Sequence, residues 1–363
     1  MYKFLKSASA IILAGGLFAS CNKPLPEATA IVTPAPTGLS ILETLRAATP
    51  GTYTILDSAI KKAGASTIAL LSDKTGVFTF FAPTDAAFQA SGIASVASLV
   101  AFSSAQLAQI LSYHIIPGQR LLSDAIPTTF PNIKLPSGLV AAPPSASLPP
   151  GLRFPIYPSR RGTALFANNI PVTENNIIVA NGVIHKTAAL LTPPSPTTIK
   201  GFLQADPTNF SILSAAIIRA DSGQVNLARF DSLLNFVVPG FTLFAPTNAA
   251  FRALFPPGTP DANIIGALNT YAFFPAQTVR GLIAYHLLGA AAFSVNFAAG
   301  PAPVNTLLSI PPTNVIVPVI VTYGGATFTV KGLANASASN VTTRDRAVLN
   351  GVVHVIDQVL RPQ

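Results

Sequence analysis

The chain of 363 residues contains one cysteine, Cys21, and four histidines. With a single thiol no disulfide can form within the chain, so stability has to come from packing. Zinc asks for three or four ligands in close array. The histidines His114, His185, His286 and His354 are widely spaced, and neither a second cysteine nor a paired carboxylate stands at ligand spacing. No metal and no cofactor is therefore expected. Charge is scarce as well: Asp, Glu, Lys and Arg make up 10% of the residues, against about 25% in a typical soluble domain. The 13 acidic residues are mostly single and distant, and offer no evident glycosidase pair. No G-x-S-x-G turn surrounds a serine, so catalysis is not expected. The net charge is +9, yet the only adjacent basic pairs are Lys61-Lys62 and Arg160-Arg161. A polyanion site needs clustered cations. The balance argues against a nucleic-acid partner and for weak attraction to acidic surfaces.

Beyond the first 20 residues no run of 18 apolar residues occurs, so nothing later in the chain reads as a membrane span. Residues 1–20, MYKFLKSASAIILAGGLFAS, read as an export signal with a basic start at Lys3 and Lys6 and a short apolar run. Cys21 follows directly after Leu-Phe-Ala-Ser, which resembles a bacterial lipobox. That resemblance implies removal of the signal, acylation of Cys21 and an outer-membrane lipoprotein facing the cell surface or the periplasm. Residues 21–38 carry four prolines and read as an extended tether.

What the chain does have is repetition. FTFFAPTDAAF begins at Phe78, and FTLFAPTNAAF begins at Phe241, 163 residues later, with nine of eleven positions identical. Three further pairs follow the same order: TYTILDSAI with NFSILSAAI, LAQILSYHIIPG with VRGLIAYHLLGA, and ANGVIHKTAALLTP with LNGVVHVIDQVLRP. The offset varies from 157 to 172, which assigns insertions to the loops between motifs. A repeat of this length is domain-sized, so two domains are expected, 39–194 and 195–363, each with its own core.

The first repeated phrase reads as strand, then corner, then helix. Phe81 and its neighbours are β-rich, Pro83 stops the strand, Thr84 supplies an N-cap, Asp85 suits a helix N-terminus and Phe88 continues the helix. In the second copy Phe244, Pro246, Thr247, Asn248 and Phe251 take these places. Since Asn248 is uncharged, Asp85 reads as structural and not as a catalytic acid. Asn181-Gly182 and Asn350-Gly351, each between β-rich runs, predict a two-residue type I′ hairpin. The alternation then puts His185 on one face with Val183 and Thr187, and His354 with Val352 and Ile356. LAQIL and VRGLI predict short amphipathic helices, the first ended by Pro117-Gly118. The expected class is α+β, helices in front and a mainly antiparallel sheet behind.

In this order the motifs resemble the fasciclin domain, twice over, across Ile41 to Pro193 and Thr197 to Pro362. The resemblance implies a β-sandwich or wedge with packed helices and a role in adhesion or extracellular binding. In animal relatives the Tyr-His region is linked to integrin recognition. Here it corresponds to Tyr113-His114 and Tyr285-His286, though a lipid-anchored bacterial setting gives no reason to carry an integrin over. The tyrosines read either as amphipathic anchors of a binding face or as buried residues with satisfied hydroxyls. The histidines read as structural, hydrogen-bonded between apolar neighbours. Two Pro-rich or aromatic insertions stand as surface loops: Ala141 to Pro158, with Phe154 and Tyr157, and Phe255 to Pro275. They are either spacers or contact surfaces.

Two functions remain open. One is an adhesion or binding lipoprotein contacting matrix, polysaccharide or an envelope protein, with avidity from two copies. The other is an accessory of an outer-membrane uptake or degradation system that captures a ligand or glycan. The sequence carries no reading of oligomeric state.

Overall fold

Each copy begins with a helix capped by the short polar residue that precedes it, Ser40 in the first and Thr198 in the second. In a computed structural model that describes residues 37–141, 149–237, 240–270 and 274–362, the first copy runs α1 (Ile41–Ala47), α2 (Thr54–Ala63), α3 (Ala65–Ser72), β1 (Phe78–Pro83), α4 (Asp85–Ala90), α5 (Ser104–Tyr113) and β2 (Ile115–Pro117). It continues with β3 (Leu135–Val140), β4 (Arg153–Ile156), β5 (Pro158–Arg161), β6 (Ala164–Ala167), β7 (Ile170–Val179) and β8 (Gly182–Thr187). The second copy runs α6 (Ile199–Ala205), α7 (Pro207–Ala220), α8 (Phe230–Leu233), β9 (Phe241–Pro246), α9 (Asn248–Arg252), α10 (Asp261–Leu268), α11 (Ala276–Tyr285) and β10 (Leu287–Leu288). Then come β11 (Ala302–Ile310), β12 (Val315–Tyr323), β13 (Phe328–Lys331), β14 (Ser339–Val348) and β15 (Gly351–Ile356). The class is α+β, with two sheet-rich halves and packed helices. Cys21 and most of the tether lie outside the described residues.

The sheets have orders β2-β1-β8-β7-β6-β5 and β10-β9-β15-β14-β13-β12-β11, with β3-β4 as a separate ladder in the first copy. Pairing is antiparallel except at β1 with β8 and β9 with β15, which are parallel. Of these central strands β1, β9 and β15 are buried along their whole length and β8 everywhere but at Lys186, because both sheet faces are covered. On β1, Phe78, Phe80 and Ala82 join the helix-side core with Leu56, Ile60, Phe88 and Leu111. Phe81 faces the other way, into a second core with Tyr113, Ile116 and Ile156. The second copy repeats the split: Leu243, Val353 and Val355 on the helix side, and Phe244, Tyr285 and Ile356 on the other.

At the repeated corner the Oγ1 atoms of Thr84 and Thr247 accept from the backbone amides of Ala87 and Ala250, capping α4 and α9. The hairpin register differs from expectation. Val179 pairs with Gly182 and Val348 with Gly351, so the two loop residues are Ala180-Asn181 and Leu349-Asn350, and each glycine opens a strand. Neither asparagine adopts positive φ, because its side chain has another task. Buried Asn181 accepts from Ile41 N–H and donates to Leu71 O, while buried Asn350 accepts from Ile199 N–H and donates to Leu234 O. The glycines are required by close approach: a Cβ on Gly182 or Gly351 would stand 1.9 or 2.1 Å from the carbonyl oxygen of Phe78 or Phe241. Helix α5 also ends earlier than expected, at a C-cap on His114, since Ile115–Pro117 leaves to pair with β1.

Candidate interaction site

The Tyr-His pairs, the residues the sequence singles out for binding, are internal. Tyr113, His114 and Tyr285 are fully buried and His286 is 1% exposed. Each tyrosine holds the sheet arm that crosses its helix end: Tyr113 Oη donates to Pro155 O at 2.9 Å, and Tyr285 Oη to Pro318 O at 2.8 Å. Asn168 Nδ2 donates back to Tyr113 Oη, and Leu333 N–H to Tyr285 Oη. As an exposed binding face the pairs are thus corrected: no side-chain surface is offered to a partner. Phe154 and Tyr157 are likewise buried, Phe154 within β4 and Tyr157 between β4 and β5, and not on a loop. Residues 142–148 of that insertion lie outside the described residues. The second insertion contains α10, with Ile264 and Leu268 buried, while residues 271–273 lie outside the described ones.

The histidines form two matched sets. The backbone amides of Leu191 and Leu360 donate to Nε2 of His114 and His286, so the proton sits on Nδ1, which donates to Ile110 O and Leu282 O. His185 and His354 hold the opposite tautomer. Asn176 N–H and Asp345 N–H donate to Nδ1, while Nε2 donates to Leu121 O and Ala292 O. Every ring nitrogen is thus engaged by backbone. Burial, opposed only by the backbone acceptor, pushes His114 and His286 down to about 4. Burial also lowers His185 and His354, against the pull of Asp345 on His354. Among the described residues no three His, Cys, Asp or Glu side chains group as a metal site.

Asp85 reaches backwards to cap α2, whereas Asn248 reaches backwards into the interior of α7, whose N-cap is Asp206. Asp85 accepts from Thr54 and Ile55 N–H at the start of α2. Asn248 accepts from Ile212 N–H in α7 and donates to Thr208 O, Ser211 Oγ and Asp261 Oδ2. Acceptor geometry, common to both residue types, explains why one replaces the other.

The copies are not separate beads: residues Pro36–Gln363 form one compact unit. Leu349, at the corner of the second copy, sits in the core of the first with Phe81 and Tyr113. Tyr157 of the first copy packs with Ala291, Phe293 and Val352 of the second, its ring 5.8 Å from that of Phe293. Asn132 Nδ2 donates to Ala291 O and Asn296 Oδ1, and Asn296 Nδ2 to Ser159 Oγ at 2.7 Å. The linker joins the sheet at once, with Ser195 bridged to Val348. Beside this joint lies a cleft of about 440 Å³, lined from the first copy by Asn169 and Thr192, from the linker by Ser195, and from the second copy by Phe202, Asp345 and Arg346. The volume falls in the range of small-molecule sites, about 300–1,000 Å³.

The fasciclin domain family matches residues 51–193 and 213–362. The chain belongs to the fasciclin domain family. It is 29% identical to human (Homo sapiens) periostin over 287 residues, 79% of this chain and 28% of periostin. It is also 29% identical to pig (Sus scrofa) transforming growth factor-beta-induced protein ig-h3 over 143 residues, 39% of this chain and 18% of that protein. The chain therefore spans less than a third of the length of these curated relatives. Among solved structures, the FAS1 domain pair of the insect cell adhesion molecule Fasciclin I is similar with a TM-score of 0.37 and 19% identity, covering 85% of this chain and 95% of that one. No helix among the described residues is long and apolar enough to cross a membrane.

Two features of these fasciclin copies escape sequence reasoning. The hydrogen bonds of Asp85 to α2 and of Asn248 to α7 cross 30 to 36 residues of chain. The cleft is assembled from five separated stretches of chain, and only the break in the repeat at Asp345-Arg346 could have marked it.

Proposed function

We propose that the chain is an exported, lipid-anchored adhesion or binding protein whose two fasciclin domains contact matrix, glycan or a neighbouring envelope protein. One observation carries the reading: fasciclin matches occupy 51–193 and 213–362, so any contact the described chain makes has to be built on that scaffold. Because the Tyr-His pairs are internal, the contact falls to the surface and the joint. Acylation at Cys21, with the tether of residues 21–38, would hold the pair at an envelope surface. The packed joint fixes the two copies in one orientation, so avidity would require two partner sites at a matching spacing. The soluble chain, residues 22–363, applied to an array of matrix proteins, glycans and envelope proteins, should give a reproducible hit. A blank array with folded protein would sink the reading. The cleft supports a second reading, capture of a small molecule or glycan for an uptake or degradation system, and that reading predicts a saturable thermal shift with a soluble ligand.

A further inference from the structure

The two copies depart from each other where the cleft is built. Strand β14 carries a bulge: its pairing with β15 skips between Thr343 and Arg346, and Asp345 has a φ of 60°. The first copy has the same bulge in β7, skipping between Glu174 and Ile177, with Asn176 at a φ of 59°. There the bulge residue is exposed and tied to Ser123, as Asp345 is tied to Ser294, but the residue after it is Ile177. In the second copy the pair Asn-Ile has become Asp-Arg, and this bulge opens against the other copy. Bulges re-aim side chains and occur beside sites for that reason.

The groups gathered there have spare hydrogen-bonding capacity. Ser294 donates from N and Oγ to the two carboxylate oxygens of Asp345, at 2.6 and 2.7 Å, which fixes the carboxylate and leaves lone pairs unused. Among the described residues the Arg346 guanidinium, the Asn169 amide and the Thr192 and Ser195 hydroxyls make no hydrogen bond or ion pair, while all four residues line the cleft. Phe202 gives an apolar wall, held by Phe210 at 5.7 Å between ring centroids. A planar acceptor, a planar donor fork, an amide and hydroxyls beside one aromatic face complement a molecule with adjacent hydroxyls on its edge and C–H bonds on its face. A polyphosphate would want cations without Asp345, and a lipid tail would not want these polar groups.

We propose that the cleft between the copies is a saccharide site for one or two pyranose units, with Asp345 accepting from adjacent hydroxyls, Arg346 and Asn169 donating to oxygens, and Phe202 against the sugar face. This rests on the reading of the chain as a binding protein and names a ligand class for it. The soluble chain, residues 22–363, would be titrated by calorimetry and ligand-observed NMR with maltose, cellobiose, diacetylchitobiose and digalacturonate. At least one should bind saturably, and Arg346→Ala should weaken it about 10-fold, as expected for one charge-assisted hydrogen bond. Ser195→Trp, which fills the cleft from an exposed side chain that bonds to nothing, should abolish binding with an unchanged melting temperature. Saturation by none of the four, or binding that survives both substitutions, overturns the proposal. An array hit on a macromolecule that both variants retain would leave the adhesion reading standing and remove the cleft alone.

Discussion

Lowering the pH from 7.5 to 5 should destabilise the protein through histidines that the fold keeps neutral. An imidazole in the unfolded chain takes up a proton near pH 6.5, whereas His114 and His286 in the fold do so only near 4. Between these values the unfolded state binds more protons, so stability falls as pH drops below about 6.5 and levels off below about 4. At pH 5 each of the two costs about 2 kcal/mol, and the full shift is worth about 3 kcal/mol each, from about 1.4 kcal/mol per pKa unit. The pair removes about 4 kcal/mol by pH 5, a large part of the roughly 5–15 kcal/mol available to a folded protein. His185 and His354 act in the same direction. Carboxylates such as Glu43, held down to about 2, titrate below this window. Urea unfolding followed by circular dichroism at pH 7.5, 6.5, 5.5 and 5.0 reads the loss directly. A change under about 1 kcal/mol across the series, or imidazole NMR signals that titrate near pH 6.5 in the folded protein, would show that the fold does not hold these histidines neutral.

Other substitutions test the packing. Tyr113→Phe strands Asn168 Nδ2 and Pro155 O and should cost about 1–3 kcal/mol in urea unfolding. Tyr157→Phe, which removes a buried hydroxyl without a partner among the described residues, should be neutral or slightly stabilising. Gly182→Ala puts its methyl group 1.9 Å from Phe78 O and should abolish soluble expression, while Gly266→Ala, in α10 with open space around it, should raise the melting temperature. Asp85→Ala uncaps α2 and should cost about 0.5–2 kcal/mol by the same unfolding assay.

The repeat announced the fold because its motifs are places where backbone geometry restricts the side chain. Thr84 caps, Gly182 admits a neighbouring carbonyl and Pro83 ends a strand, and each constraint is local enough to leave a mark in a few letters. Asn181 shows the limit: the hairpin was legible, but a buried asparagine whose bonds reach Ile41 and Leu71 leaves no local pattern. The Tyr-His pair was legible as a motif and ambiguous in exposure, since a tyrosine whose hydroxyl finds Pro155 looks in sequence like one that faces a partner. Tyr157 and Phe154 read as loop residues because prolines surround them, yet prolines at strand starts and edges are compatible with the β4 and β5 that formed. The joint was invisible, since nothing local to the exchange of Ala180 for Leu349 says that the larger side chain enters the core of the other copy.

The two fasciclin copies share packed core, and Leu349→Ala tests this directly. The substitution lies in the second copy but empties space in the core of the first that also holds Phe81 and Tyr113, and should cost about 2–5 kcal/mol. Amide hydrogen exchange read on β1 (Phe78–Pro83) and β9 (Phe241–Pro246) in the full soluble chain should show protection falling in both strands by similar factors. Loss confined to β9, with β1 as protected as in the unsubstituted protein, would contradict a shared core and return the chain to two independent domains.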